Sequence, residues 1–511
     1  MTLKYDAVIV GGGHNGLVTA FYLARAGKRV LVLERRSVLG GAAVTEELFP
    51  GYRVSSCSYV LWMLQPKVRK DMGLDSRGLK WHSLDPQQMN PYRDGSHMQF
   101  FVDQDKTRES IARISPADAK GYDHWNAFWD KAARLLHPYL MTEPPTMDEV
   151  RAHARDIGEE KTLDKVLSSS IADICAEYLT DTRVMAALVQ VEDIGDPWYP
   201  GSAWLETYYQ TPRFFDYGYA VVEGGMGRIT QLMAQACYEQ GVTIQTDAKV
   251  TKILTDGSGK ANGVLVNDDW EVHADKVIVN ADPKQTFQQL LEPADVPDPF
   301  SRYVDGLTSD TGYFKFHSIV DELPDVSQYL GRPGTPDDIA YIQIAPGLEW
   351  YKRTIDECKA GQIPSEPIMH LQFPSLHDKT LTNEDGYIMS IWGLYAPPKL
   401  AEGTWLERRD EAKDRIIDYV TEYIPNFRSS IRHSMLYTPW DLEQNKYLPG
   451  GQFRHIDVLP DRQFLTDRVP YKTPVDGLWM CGASTHPGGE VTGANGHNCA
   501  NAILKEEGAS T

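Results

Sequence analysis

The chain has 511 residues, 42% hydrophobic and 24% charged, the balance of a folded globular protein and not of a disordered or membrane-spanning one. That length predicts two or three structural units with a substantial buried core. Lysine plus arginine number 51 against 71 aspartate plus glutamate, and the resulting net charge of −20 repels phosphate backbones and anionic lipid surfaces, which argues against nucleic acid as a partner.

The first strand is expected to begin by Tyr5, leaving no room for a secretory leader, and no later stretch reaches about 18 uninterrupted apolar residues. A cytoplasmic location without a transmembrane segment is the expectation. Cys57, Cys175, Cys237, Cys358, Cys481 and Cys499 are scattered, with no C-x-x-C pair and no metal-like Cys/His spacing, so dithiol redox chemistry and structural zinc are both disfavoured and no metal is expected.

Tyr5 to Val10 reads as a buried parallel strand, Gly16 to Ala26 as a helix carrying Leu17, Ala20, Phe21 and Ala24 on one face, and Lys28 to Leu33 as the next strand. Between strand and helix stand Gly11, Gly13 and Gly16 in G-x-G-x-x-G order, which suits a tight turn, close approach of backbone to a pyrophosphate, and close packing of helix on sheet. The helix N-terminus would face the phosphates, and Glu34 closes the second strand where a ribose hydroxyl needs an acceptor. The set reads as a dinucleotide site. Arg36, Gly40 and Gly41, in R-x-x-x-G-G order just beyond, select FAD over NAD, because a glycine pair there lets the chain pass beside an extended dinucleotide.

Further along, Trp125, Phe128, Trp129, Ala132, Leu135 and Leu136 share one helical face, and Glu143-Pro144-Pro145 closes that insertion. An aromatic-rich stretch from Trp198 to Tyr219 could wall a pocket beside Met226, or simply pack in the core. Thr243 to Ile253 is predicted as a strand, followed by a hairpin through Asp256-Gly257-Ser258-Gly259 and a returning strand from Glu271 to Val279. The glycines at 257, 259 and 263 are not followed by a helical pattern, so they do not make a second nucleotide loop and no separate NAD(P)H unit is expected. Tyr313 to Val320 alternates like a strand, on which Lys315 either points outward, the safer assumption, or is buried and tunes flavin reactivity, and Leu406 to Tyr423 reads as a helix.

Gly-His-Asn-Gly-Leu-Val at 13–18, Glu-Arg-Arg at 34–36 and Gly-Gly-Ala-Ala-Val-Thr-Glu-Glu at 40–47 resemble the phytoene-desaturase-like FAD-dependent oxidoreductases, in the branch of pyridine nucleotide-disulfide oxidoreductase domain-containing protein 2. Gly224-Gly225-Met226-Gly227, Asn280-Ala281-Asp282-Pro283 and the run from Gly477 to Asn498 extend the likeness over nearly the whole chain. The resemblance implies an α/β, Rossmann-type FAD-binding fold of the GR2/amine-oxidase-like two-domain kind. Its FAD-binding domain would be discontinuous, from 1–75, 222–295 and 472–511, with a mixed α+β substrate domain and helical insertion from 76–221 and 296–471. It implies FAD contacts from Gly11, Gly13, His14, Asn15, Gly16, Glu34, Arg35, Gly40, Gly41, Ala42, Ala43 and Ala281, from the Val250 backbone at the adenine, and from Gly482, Ala483, Val491 and Thr492, with a helix from about Asn495 facing the flavin.

The chemistry expected is hydride transfer from an organic small molecule to flavin N5, with electrons passed to oxygen, a quinone or another carrier. Glu490 replaces what is usually a glycine in the family's H-P-G-G-G-like run and is a candidate base or amine anchor; pointing to solvent or capping the next helix is the alternative. His486 is a candidate proton shuttle, against the alternative of a loop histidine satisfied by backbone. A redox-neutral double-bond isomerase, an amine oxidase and a flavin-stabilised binding protein remain competing functions. Oligomeric state is not legible.

Overall fold

The computed structural model describes residues 5–189, 196–459 and 468–508. Residues 1–4 and 509–511 of the first expected unit, and 190–195 and 460–467 of the second, lie outside the described residues.

Two seven-stranded sheets organise the molecule. In the first, Val8 stands beside Leu31 on one side and Val277 on the other, all parallel, so the strands Tyr5–Val10, Val30–Leu33 and Trp270–Val279 form its centre. All of Val30–Leu33 and the last four residues of Tyr5–Val10 are buried, as expected for strands covered on both faces. The strand Leu478–Met480 pairs in parallel with Val277–Val279 and brings the carboxyl-terminal run to the centre of the sheet.

The helix after the glycine turn spans His14–Arg25, two residues earlier than its periodicity suggests, because His14 and Asn15 already form its first turn. It packs against the helix Ala494–Glu506, where the Thr19 hydroxyl donates to the Gly496 carbonyl at 3.1 Å. The expected strand from Thr243 to Ile253 is two strands, Thr243–Gln245 and Val250–Thr255. The first extends the parallel edge beside Leu31–Leu33, and the chain turns at Asp247, whose φ is 53°. A further strand, Ala261–Val266, lies between the hairpin turn and Trp270–Val279, so the region is a three-stranded antiparallel meander. The extra strand escapes periodicity because Gly263 interrupts it, and that glycine sits where a side chain would lie 2.3 Å from the Val272 carbonyl.

The second sheet runs Ile431–Tyr437, Gly312–Val320, Tyr387–Ala396, Ile368–Gln372, Tyr341–Ile344, Gln88–Pro91, His97–Phe100, with its pairings antiparallel except Tyr341–Ile344 beside Gln88–Pro91. Helices of the stretch 104–209 cover part of it. The helix Pro116–Leu136 is capped by Ser115 and buries Trp125, Phe128, Trp129, Ala132, Leu135 and Leu136, the face expected from the sequence. Each large apolar side chain fully buried this way contributes about 1.5–3 kcal/mol. No described helix is long and apolar enough to cross a membrane.

Candidate functional site

The glycine turn lies against the Gly40–Gly41 turn, where a Cβ on Gly41 would come within 3.3 Å of the Gly13 Cα. This junction borders a cleft of about 990 Å³ whose lining also includes Leu33, Glu34, Ala248, Val250, Leu290, His455 and Ala483. The Glu34 carboxylate accepts from the Gly12 and Arg36 backbone N–H groups at 2.8 and 2.9 Å. Those bonds aim it, and each oxygen keeps a second lone pair for a ribose hydroxyl. Burial raises its pKa, and the two backbone donors oppose that rise.

The cleft contains unmet polar capacity. His14 Nε2 and His455 Nδ1 are buried without a hydrogen-bond partner among the described residues. Burial lowers both imidazoles to about 4, so they are neutral, and a neutral ring carries one donor. Two such orphaned atoms facing a glycine-lined cleft fit an extended, hydrogen-bonding dinucleotide, and FAD meets that requirement through its pyrophosphate and flavin edges.

Of the expected cofactor residues, Gly11, Gly13, His14, Asn15, Glu34, Arg35, Gly41, Ala42, Val250, Ala281 and Ala483 line this cleft. Arg35 lies over the Tyr447 ring at 3.8 Å. Gly16, Gly40, Ala43, Gly482 and Thr492 are not among the lining residues and hold the lining in place. The Ala43 carbonyl accepts from the Thr230 hydroxyl, and the Thr492 hydroxyl accepts from the Ala494 N–H at the start of the terminal helix. Arg36, of the R-x-x-x-G-G run, pairs with Glu46, which also pairs with the buried Lys446.

His14, Ala42, Phe453 and Ala483 also line a second cavity, of about 870 Å³, so the two adjoin. Its walls are Tyr59, Trp62, Tyr219, Trp392 and Phe453, with Met226, Val491 and Glu490. Trp62 stacks on Tyr219 with ring centroids 5.0 Å apart. From the aromatic-rich stretch only Tyr219 reaches this cavity among the described residues; Trp204, Tyr208, Tyr209 and Tyr217 are buried packing, while Trp198 and Tyr199 are exposed.

Glu490 lies in the cavity wall and neither caps a helix nor points freely to solvent: it pairs with Arg454, whose side chain is 2% exposed. Glu490 has a φ of 72°, the left-handed conformation in which glycine is common. Removing the carboxylate takes one charged partner from a buried guanidinium, so Glu490→Ala is expected to destabilise the protein by about 1–3 kcal/mol, read as a lowered denaturant midpoint, with Glu490→Gln losing less. His486 is elsewhere. Its ring contacts the Tyr139 carbonyl at 2.8 Å and lines a separate cavity with Arg468 and Trp479.

Of the two placements open for Lys315, the structure shows the buried one rather than the outward one assumed as safer. Its strand lies between two others, all nine residues of Gly312–Val320 are buried, and Lys315 shares a register row with Trp392 and Tyr437. Its ammonium stands 4.9 Å from the Tyr59 ring centroid, and Nζ has no hydrogen-bond partner among the described residues. Burial lowers its pKa to about 7. Alternation along a strand marks an outward face only when one face meets water, which is why the sequence left both placements open.

The sequence model for flavin containing amine oxidoreductases matches residues 16–504. The chain is 29% identical to the mouse (Mus musculus) pyridine nucleotide-disulfide oxidoreductase domain-containing protein 2, over 98% of this chain and 94% of that protein. It is 24% identical to the neurosporene-forming phytoene desaturase of Rhodobacter capsulatus, over 95% of this chain and 91% of that one. Among solved structures, cyclohexylamine oxidase from Brevibacterium oxydans superposes with a TM-score of 0.61 at 15% identity, covering 99% of this chain and 100% of that one, which is a likeness of fold.

Proposed function

Since the chain belongs to the flavin containing amine oxidoreductase family and is an FAD-dependent oxidoreductase, we propose that it dehydrogenates a neutral, largely apolar organic molecule, introducing a double bond. The observation that carries this reading is the charge inventory of the aromatic cavity. Glu490 is the one carboxylate among its described lining residues, and it is paired with Arg454. Lys315 stands behind the Tyr59 wall. An ammonium substrate would have to compete with a buried guanidinium for the Glu490 carboxylate, whereas an apolar chain or ring gains from every wall.

When bound, FAD would supply a two-electron oxidant able to accept a hydride from one substrate carbon while the neighbouring carbon loses a proton to bulk water, and oxygen, a quinone or another carrier would take the electrons onward. His14, Glu34, Val250, Ala281 and Ala483 would hold it along the cleft. The aromatic walls orient the substrate and exclude water, and Glu490 keeps Arg454 in place and so shapes the wall. Lys315 backs the Tyr59 wall from outside the cavity lining. His486 is assigned no step, since its ring lies outside the cavity. The likeness to a phytoene desaturase supports the dehydrogenase reading.

Anaerobic titration of the flavin-loaded protein with neutral alkenes and polyenes, acyl compounds and amines tests it. The apolar set is expected to bleach the flavin absorbance and to yield a product two hydrogens poorer. Bleaching by amines alone, with hydrogen peroxide released on aeration, would establish amine oxidation instead. Double-bond migration by the reduced protein without consumption of an acceptor would establish an isomerase. A flavin that no compound bleaches points to a binding role.

A further inference from the structure

Away from both cavities, His82, Asp337 and His377 converge from three distant parts of the chain, with one ligand-type atom of each inside a 4.8 Å sphere of mutual separation. His82 lies on the strand Trp81–Ser83, Asp337 in the first turn of Pro336–Ile339, and His377 just after the turn Pro374–Leu376. His377 Nε2 stands 3.4 Å and His82 Nε2 3.7 Å from the same Asp337 oxygen, and the two imidazoles lie 4.0 Å apart, nearly parallel.

We propose that these three side chains form a binding site for a late first-row divalent cation, with zinc as the best match. Two imidazoles and one carboxylate are the donor types that zinc takes, at about 2.0–2.2 Å, and tetrahedral bonds of that length place neighbouring donors about 3.3–3.5 Å apart. The observed separations are close to these, and because an imidazole binds a metal in its ring plane, one of the two stacked rings has to turn for both to share the ion. The His377 side chain is 91% buried and its Nε2 lacks a hydrogen-bond partner among the described residues, so a donor atom already removed from water is aimed at the carboxylate. The His82 side chain is half exposed and can turn its ring out of the stack to share the ion. A hard cation such as magnesium is disfavoured by two nitrogen donors. The earlier expectation of no metal rested on cysteine spacing, and a site assembled from single residues more than 35 positions apart leaves no such spacing.

The site's position gives it a consequence. His82's strand pairs with Ala220–Val222, with His82 opposite Val221. Asp378, next to His377, accepts from the Gly224 N–H at 2.7 Å. The segment 219–226 is thus gripped from both sides by elements that carry the ligands, and its ends, Tyr219 and Met226, wall the aromatic cavity. Zinc would brace that wall and bind without touching the redox centre.

The test uses untagged, flavin-loaded full-length protein freed of metal with a chelator and then dialysed against zinc chloride, with bound zinc and flavin measured together. Wild-type protein is expected to take up one zinc per chain and to melt at a higher temperature with it. H82A and D337N, both changed at half-exposed positions, are expected to retain flavin, to match the metal-free wild type in melting temperature, and to bind zinc at least about tenfold more weakly. H82Q serves in place of H82A if the alanine variant proves unstable. Wild-type protein that takes up well under one equivalent, or variants that bind zinc as tightly as the wild type, would overturn the assignment.

Discussion

Gly16→Val is expected to yield protein that purifies without flavin and melts well below the wild type. A Cβ at Gly16 would lie 2.2 Å from the Gly11 carbonyl oxygen, 3.1 Å from Asn280 Nδ2 and 3.3 Å from Ile9 Cγ2. The nearest obstacle is backbone, so it cannot yield without opening the turn that faces the cofactor. Overpacking of this kind costs about 1–3 kcal/mol by itself. A larger loss follows if the turn no longer binds FAD, because a ligand present at a hundred times its Kd adds about 2.7 kcal/mol to stability. The ratio of flavin to protein absorbance and the melting temperature with and without added FAD read both effects. Gly257→Ala is the control: nothing lies within 4 Å of its Cβ position, and it should change stability by less than about 0.5 kcal/mol. A Gly16→Val protein with full flavin and an unchanged melting temperature would refute the close-packing account of this glycine.

The contrast between those two glycines shows what the sequence made legible. The nucleotide cleft is written in local signals, since Gly11, Gly13 and Gly16 lie within six positions and Glu34 ends the strand that follows, so the turn, the helix and the acidic terminus could all be placed in advance. The helix Pro116–Leu136 was equally plain, because its stripe repeats at helical spacing for three turns. The aromatic cavity was not. Tyr59 and Trp62 stand hundreds of residues before Trp392, Phe453 and Arg454, and only sheet register and chain crossings bring them together. Glu490 stood out by sequence, but its partner did not: an arginine 36 positions away carries no mark that it will be buried. The split of Thr243–Ile253 into two strands likewise reflects tertiary demand, one half serving the parallel edge and the other the antiparallel meander.

Sequence left the burial of Lys315 open, and replacing it should separate stability from function. In the folded protein its pKa falls to about 7 through burial, from 10.5 when exposed. Between those pH values the unfolded chain holds a proton that the native state lacks, so stability rises with pH across the interval. Below pH 7 both states are protonated and the full cost of burying the ammonium remains. Lys315→Met, which keeps the length and apolar bulk of the side chain, is therefore expected to be more stable than the wild type by on the order of 3–5 kcal/mol at pH 6. That advantage should shrink steadily above pH 7 and be nearly gone by pH 10, in urea titrations at equal flavin saturation. Because Lys315 touches the Tyr59 wall but does not line the cavity, the pH profile of kcat is expected to keep its shape in the methionine variant. A methionine variant less stable than the wild type at pH 6, or an advantage that does not vary with pH, would show that Lys315 sits in the fold without the strain its burial implies.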